Sequence, residues 1–275
     1  MNNFLINLSR LTRPLSNVKN IALIILAFYF SKADFNLTLF LVGFFSLSLV
    51  CSAFYAYNTL SDYNLDKNNK NKNHYSEAVD YFGGKNIFII FTSLLICGFI
   101  FGLFVNFYFL FVLLLLALTN FFYSSKKFRF KEKFILDILF GATLTFLFRF
   151  IASWFIFSIS TPPLLVIIAL ISAKSAGYLL YKEVDRPFLK NQNIKNSITA
   201  VEKETIIIIS TILWLICFLF FIFLKFIILI PLAILPIAVI YFSALGKIKT
   251  KIKYLRIAGF IYWLFALIII LKLLW

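Results

Sequence analysis

Three side chains in this 275-residue chain carry oxygen donors at a spacing that could do chemistry. They are Asn58, Asp62 and Asp66, in the stretch Asn58-Thr59-Leu60-Ser61-Asp62-Tyr63-Asn64-Leu65-Asp66. They recur every four residues, directly after the apolar run from Leu37 to Tyr57. If the helix predicted for that run continues, each step of four overshoots a full turn by only ~40°, and the three stack on one face. An amide oxygen and two carboxylates in a row at the mouth of an apolar helix suit Mg2+. That ion takes about one or two carboxylates and completes its shell with water and substrate phosphate. Lys67, Lys70 and Lys72 follow directly and could hold phosphate oxygens as point charges. A solvated loop beside a membrane would carry the same residues, so the surrounding elements decide what the stretch means.

Those elements are apolar. The chain is 62% hydrophobic with 37 Phe and has a mean hydropathy of +0.96. Its solvent is therefore lipid. A formal charge of +16 would suggest nucleic acid in a soluble domain. Here most of the 27 Lys and Arg lie in short loops between apolar runs. There they set topology and meet anionic headgroups, so membrane lipids are expected as partners and nucleic acid is not. Cys51, Cys97 and Cys217 all sit inside apolar runs and read as small buried hydrophobes. His74 is the single histidine, which excludes His-rich metal chemistry. The first apolar run ends without a small-residue cleavage pattern and reads as a retained helix.

A membrane span needs ~20 mostly apolar residues. Runs of that kind fall at roughly 16–31, 37–57, 86–105, 107–124, 134–157, 163–181, 205–224, 226–244 and 255–274. The expected fold is all-α: a polytopic membrane protein with nine transmembrane helices in one bundle, forming a single domain over 1–275. Basic residues crowd alternate loops, which places the N-terminus in the cytoplasm and the C-terminus outside a cytoplasmic (inner) membrane. Two loops on the basic side, 58–85 and 182–204, exceed what topology requires. The first holds Asp62, Asp66, Glu77 and Asp80, and the second holds Glu183, Asp185, Glu202 and Glu204. They read as a polar cap over a membrane cavity. Pro162 and Pro163 begin the sixth run, and Pro231 and Pro236 are expected to bend the eighth.

Further candidates lie within the runs. Arg149 falls well inside the fifth, where a charge costs ~2.5–3.5 kcal/mol to insert and normally faces a wet cavity or a partner. A structural ion pair or snorkelling toward a headgroup is the alternative. Lys174 in the sixth raises the same question with less force, because Ser172 and Ser175 already make that turn polar. Tyr123 and Lys127 are four apart at the end of the fourth run and would share a helix face. Together they could hold phosphate or leaving-group oxygens, or simply mark the interface. Asp137 opens the fifth run and either pairs with these cations or caps the helix. In Tyr181-Lys182-Glu183-Val184-Asp185-Arg186-Pro187, the carboxylates could supply a second metal site, orient Lys182, or salt-bridge the loop.

With these residues in place, the chain resembles the UbiA superfamily of intramembrane prenyltransferases. Asn58-x-x-x-Asp62-x-x-x-Asp66 after the second helix, with a second polar loop after the sixth, is similar to that superfamily's pattern. Thr59 stands where its members usually have Asp. Tyr123 and Lys127 match a Tyr-x-x-x-Lys pair common there. Three segments look like the branch containing decaprenyl-phosphate phosphoribosyltransferase: Arg13-Pro14 through Lys19-Asn20, Tyr123-Ser124 with Asp137, and Phe148-Arg149-Phe150-Ile151-Ala152. The second loop departs from that branch, with Glu183-Val184-Asp185 where Lys and Arg are usual.

The resemblance implies Mg2+ on Asn58, Asp62 and Asp66, with catalytic work from Asp62, Asp66, Arg149 and Lys127. It implies substrate contacts from Arg13, Lys19, Asn20, Lys70, Tyr123, Lys182, Glu183 and Asp185. The implied partners are a polyprenyl lipid and a pyrophosphate-bearing co-substrate. The preferred reaction is phosphoribosyl transfer from phosphoribosyl pyrophosphate to polyprenyl phosphate. The second is transfer of a polyprenyl group from its diphosphate to an aromatic acceptor such as 4-hydroxybenzoate. A transporter is the non-enzymatic alternative, and it would show Gly- or Pro-broken helices at matching places in two halves.

Overall fold

A computed structural model describes residues 3–69, 72–183 and 185–223. Among these residues there is helix and turn but no strand. Seven helical segments are long and apolar enough to cross a membrane: Asn3–Ser31, Leu37–Ser61, Gly84–Leu103, Phe107–Ser124, Leu136–Phe155, Leu164–Glu183 and Lys203–Phe220. They correspond to the first seven runs read from the sequence. The eighth and ninth, with Pro231 and Pro236, lie outside the described residues, as does Lys70. The chain divides into two compact units, one formed by Met1–Arg129 with Phe148–Ser160, the other by Phe130–Leu147 with Thr161–Trp275.

The first unit begins with α1 (Asn3–Thr12), a 3-10 turn over Pro14–Asn17, and α2 (Val18–Ser31). The first span is therefore broken in two. Arg13 takes the left-handed conformation (φ 48°), and Pro14, which lacks an N–H to continue the helix, starts the next turn. Asn36 caps α3 (Leu37–Ser61) by accepting from the Leu39 N–H. Then come α4 (Tyr63–Lys67) and α5 (Asn73–Phe82). Gly83, at φ 75°, turns the chain into α6 (Gly84–Leu103). Asn106 caps α7 (Phe107–Ser124), accepting from the Phe109 N–H at 2.8 Å while its amide donates to the Phe155 carbonyl.

Small residues let α3 and α6 approach closely. The Ser46 hydroxyl donates to the Gly98 carbonyl at 2.7 Å. A Cβ built at Gly98 would come within 2.7 Å of a Val50 methyl and 3.1 Å of the Ser46 carbonyl oxygen. Around this seam Leu47, Val50, Ala53, Phe54, Phe91, Phe109, Leu113, Leu116, Ala152 and Ile156 form the core. Outward Leu, Ile and Phe such as Phe88, Ile89, Ile96, Ile100 and Phe107 remain exposed for lipid.

The second unit contains α8 (Leu136–Ile138), which runs through a π turn at Leu139–Leu144 toward α9 (Thr145–Phe155). It also holds α10 (Leu164–Glu183), α11 (Arg186–Asn191), α12 (Ser197–Ala200) and α13 (Lys203–Phe223). Its apolar packing joins Ala169, Ala176 and Leu180 of α10 to Trp214 and Cys217 of α13.

Candidate active site

The first oxygen-donor stretch lies where α3 gives way to α4. α3 runs four residues past Tyr57, so Asn58 and Thr59 belong to its last turn. Asp62 breaks the strict helix (φ −96°, ψ 4°), yet the pitch survives the joint. The Asp62 N–H donates to the Asn58 carbonyl at 2.9 Å and the Asp66 N–H to the Asp62 carbonyl at 2.8 Å. Each donor residue is thus held one turn above the last, as the four-residue spacing predicted. Asp66 and Thr59 are buried.

Residues that the spacing did not single out hold this face. The Ser124 hydroxyl, at the end of α7, donates to Asn58 Oδ1 at 2.9 Å. Arg129 places Nη2 3.5 Å from Asp62 Oδ1 and donates Nη1 to the Ser61 carbonyl at 3.3 Å. The end of α7 and the turn after it therefore hold the Asn58 amide and put a cation beside Asp62. Among the described residues no three His, Cys, Asp or Glu side chains converge on one point. Two carboxylates and an amide are no cage for an ion held by protein alone, but they fit Mg2+ whose shell is completed by phosphate and water.

Beside this face lies a cationic group. Arg13 stacks on Tyr75 from α5, 3.9 Å from the ring centroid, and stands 5.3 Å from the Tyr55 ring. Its Nη2 donates to the Thr59 hydroxyl at 3.1 Å. Arg149 also lies against Tyr55, 5.9 Å from the ring centroid, and is only 9% exposed. Asn20 is fully buried in α2 and donates to Ser48 Oγ at 3.3 Å, while its Oδ1 has no donor. Lys19 sits in the first turn of α2, half-buried.

Tyr123 and Lys127 do not share a helix face. α7 stops at Ser124 because Ser125 is extended (ψ 134°), and a turn closed by the Arg129 N–H on the Ser125 carbonyl follows. Lys127 is exposed on that turn, 5.8 Å from the Phe128 ring centroid.

The second polar stretch belongs to the other unit. α10 continues through Glu183, which pairs with Arg186 through two hydrogen bonds of 2.7 Å. Arg186 also donates to the Val201 carbonyl at 2.7 Å, so Glu183 salt-bridges the start of this loop. Asp185 is buried and Lys182 half-buried. Asp137 finds its partner within the second unit. It is fully buried and accepts from the backbone N–H and hydroxyl of Ser197. Lys174 lies 6.0 Å from the Phe146 ring centroid, and Thr143 and Ser175 share a hydroxyl–hydroxyl bond of 3.2 Å.

A family model, the UbiA prenyltransferase family, matches residues 21–265. The chain belongs to that family. No curated protein matches the sequence. Among solved structures, a UbiA homologue from Archaeoglobus fulgidus bound to GPP and Mg2+ superposes with a TM-score of 0.73 at 15% identity, covering 96% of this chain and 99% of that one. A UbiA homologue from Aeropyrum pernix K1 gives 0.74 at 14% identity, covering 92% and 97%. A digeranylgeranylglyceryl phosphate synthase gives 0.68 at 18% identity, covering 97% and 98%. The seven described spans and this likeness give the chain the UbiA fold.

Proposed function

We propose that this UbiA-family transferase binds Mg2+ through Asn58, Asp62 and Asp66 and uses it to engage a pyrophosphate-bearing substrate. The observation that carries the reading is the unbroken backbone register from Asn58 through Asp62 to Asp66, tied down by Ser124 and Arg129. The A. fulgidus homologue is described with GPP, with DMAPP and with Mg2+ bound, which supports a divalent ion and a diphosphate here. When bound, Mg2+ would neutralise charge that develops on departing pyrophosphate.

The chain's own residues would supply the rest. Asp62 and Asp66 attract the ion, and Ser124 keeps Asn58 turned toward it. Arg129, beside Asp62, and Lys127 would meet pyrophosphate oxygens as the C–O bond breaks, where fixed cations favour the transition state over the ground state. Lys182, Glu183 and Asp185 are proposed as further substrate contacts on the second loop, with Glu183 oriented by Arg186.

The preferred reaction is phosphoribosyl transfer. The C1–O bond of phosphoribosyl pyrophosphate breaks, pyrophosphate departs with the electron pair, and a phosphate oxygen of polyprenyl phosphate bonds to C1. Polyprenyl transfer from a diphosphate to an aromatic acceptor is the second reading, supported by the diphosphates named for the A. fulgidus structures. The proposed setting is one domain of nine spans in a cytoplasmic membrane, with the N-terminus inside. Purified protein in detergent, given each donor with each acceptor, decides between the reactions. Mg2+-dependent pyrophosphate release with a lipid product is expected for one pair. Release from no pair would remove the enzymatic reading.

A further inference from the structure

Among the described residues, Arg13 and Arg149 carry charge that no carboxylate compensates. Arg149 is more than nine-tenths buried within a span, and its Nε has no hydrogen-bond partner. The Arg13 Nε is likewise buried and unpartnered, although its Nη2 is engaged by Thr59. No carboxylate lies within ion-pair distance of either guanidinium among the described residues. Both stand against one ring, Tyr55, and Tyr75 stacks on Arg13. Burying a charge without a counter-charge is costly, so such a pair is retained where a ligand completes it.

Position narrows the ligand. Tyr55 precedes Asp62 by seven residues, nearly two full turns, so both lie on one face with Tyr55 ~10 Å deeper along the α3 axis. Asp62 sits at the metal end. Arg149 stands against this deeper ring, while Arg13 reaches from it to Thr59, beside Asn58, so the pair opens inward of the metal end and can meet a second anionic group there. Its charge follows from the two guanidiniums. A carboxylate would leave one of them uncompensated, and an isoprenoid tail would leave both. A phosphate monoester, at about −1.5 to −2 near neutral pH, matches the pair.

We infer that Arg13 and Arg149, spaced by the Tyr55 ring, form a receiver for a phosphate monoester that binds without metal. This rests on the reading of the Asn58–Asp66 face as the Mg2+–pyrophosphate end. The monoester has two possible sources, the sugar phosphate of a phosphoribosyl donor or the headgroup of a polyprenyl phosphate acceptor.

The test measures binding and thermal protection of the full chain in detergent. The probes are ribose 5-phosphate and farnesyl monophosphate, each without Mg2+, and inorganic pyrophosphate with Mg2+. At least one monophosphate should protect the wild-type protein without Mg2+. Protection by ribose 5-phosphate identifies the donor as the source, and protection by farnesyl monophosphate the acceptor. Arg13→Gln and Arg149→Gln should each weaken that binding about tenfold or more, the scale of a lost charge-assisted contact. Arg149→Gln, the deeper of the two, should keep pyrophosphate binding with Mg2+. If Arg149→Gln does not fold, Arg13→Gln and Arg149→Lys carry the comparison. Lysine keeps the charge but loses the Nε donor. Failure of both monophosphates to bind the wild type, or binding that survives both arginine substitutions, overturns the receiver. Failure of pyrophosphate with Mg2+ to bind the wild type instead overturns the metal end, a separate result.

Discussion

Replacing Arg129 with Gln tests whether a protein cation occupies the place of the metal's charge. Arg129 Nη2 lies 3.5 Å from Asp62 Oδ1, with the two side chains 22% and 14% exposed. At that separation two unit charges attract by ~1.2 kcal/mol in water and ~4.7 kcal/mol at an effective dielectric of about 20. Partial exposure and screening bring the net effect toward the lower figure, about 1–1.5 kcal/mol. Removing the positive charge removes its repulsion of an incoming divalent ion. Arg129→Gln should therefore tighten Mg2+ binding about five- to tenfold in the absence of substrate. Turnover should fall by about a hundredfold, because departing pyrophosphate loses a fixed cation. Isothermal titration of Mg2+ into substrate-free protein measures the first effect, and pyrophosphate release at saturating Mg2+ the second. Unchanged or weaker Mg2+ binding refutes the idea that Arg129 stands in for the ion. Tighter binding with full turnover would make Arg129 a placeholder alone.

Asp62→Asn and Asp66→Asn should each raise the Mg2+ needed for half-maximal activity by at least about tenfold, with partial rescue at high Mg2+ and an unchanged melting temperature in the absence of Mg2+. Full activity of both at low Mg2+ would count against the metal reading. Thr59→Asp places a carboxylate where Arg13 now meets a hydroxyl. It should pair with Arg13 and abolish metal-free monophosphate binding, and retained binding would argue against the receiver. Gly98→Ala forces a methyl to within 2.7 Å of Val50 and 3.1 Å of the Ser46 carbonyl. It should destabilise the first unit by about 1–3 kcal/mol, read as a lower melting temperature; an unaltered melt would show that the seam can relax.

The apolar runs made the described spans legible, since length and hydropathy are properties of single segments. The Asn58–Asp62–Asp66 register and the buried position of Arg149 were legible too, because helical pitch and the cost of an intramembrane charge are local. What surrounds them was not. Tyr55 is one aromatic among many, and nothing in its own segment marks it as the ring between two arginines. In the sequence Ser124 stands out only as the neighbour of Tyr123, and Arg129 is one loop charge among many, because their partners lie far away along the chain. The Tyr123–Lys127 spacing misled for a local reason: a helix that ends at Ser124 carries no face across Ser125. Asp137 likewise found its partner in Ser197, sixty positions away.

The close α3–α6 seam also bears on how this sequence can change over time. Ser46, Val50, Gly98 and Gly102 meet where an added methyl finds backbone or a branched side chain. Ile89, Ile96, Ile100 and Phe101 on the same helix α6 face outward and are exposed. Lipid accepts almost any apolar shape, whereas the seam accepts almost none but its present residues. Relatives that keep this fold at about 15% identity should therefore drift freely on the outer stripe of α6. Substitutions along the inner stripe should arrive in pairs, a larger residue on one helix matched by a smaller one on the other.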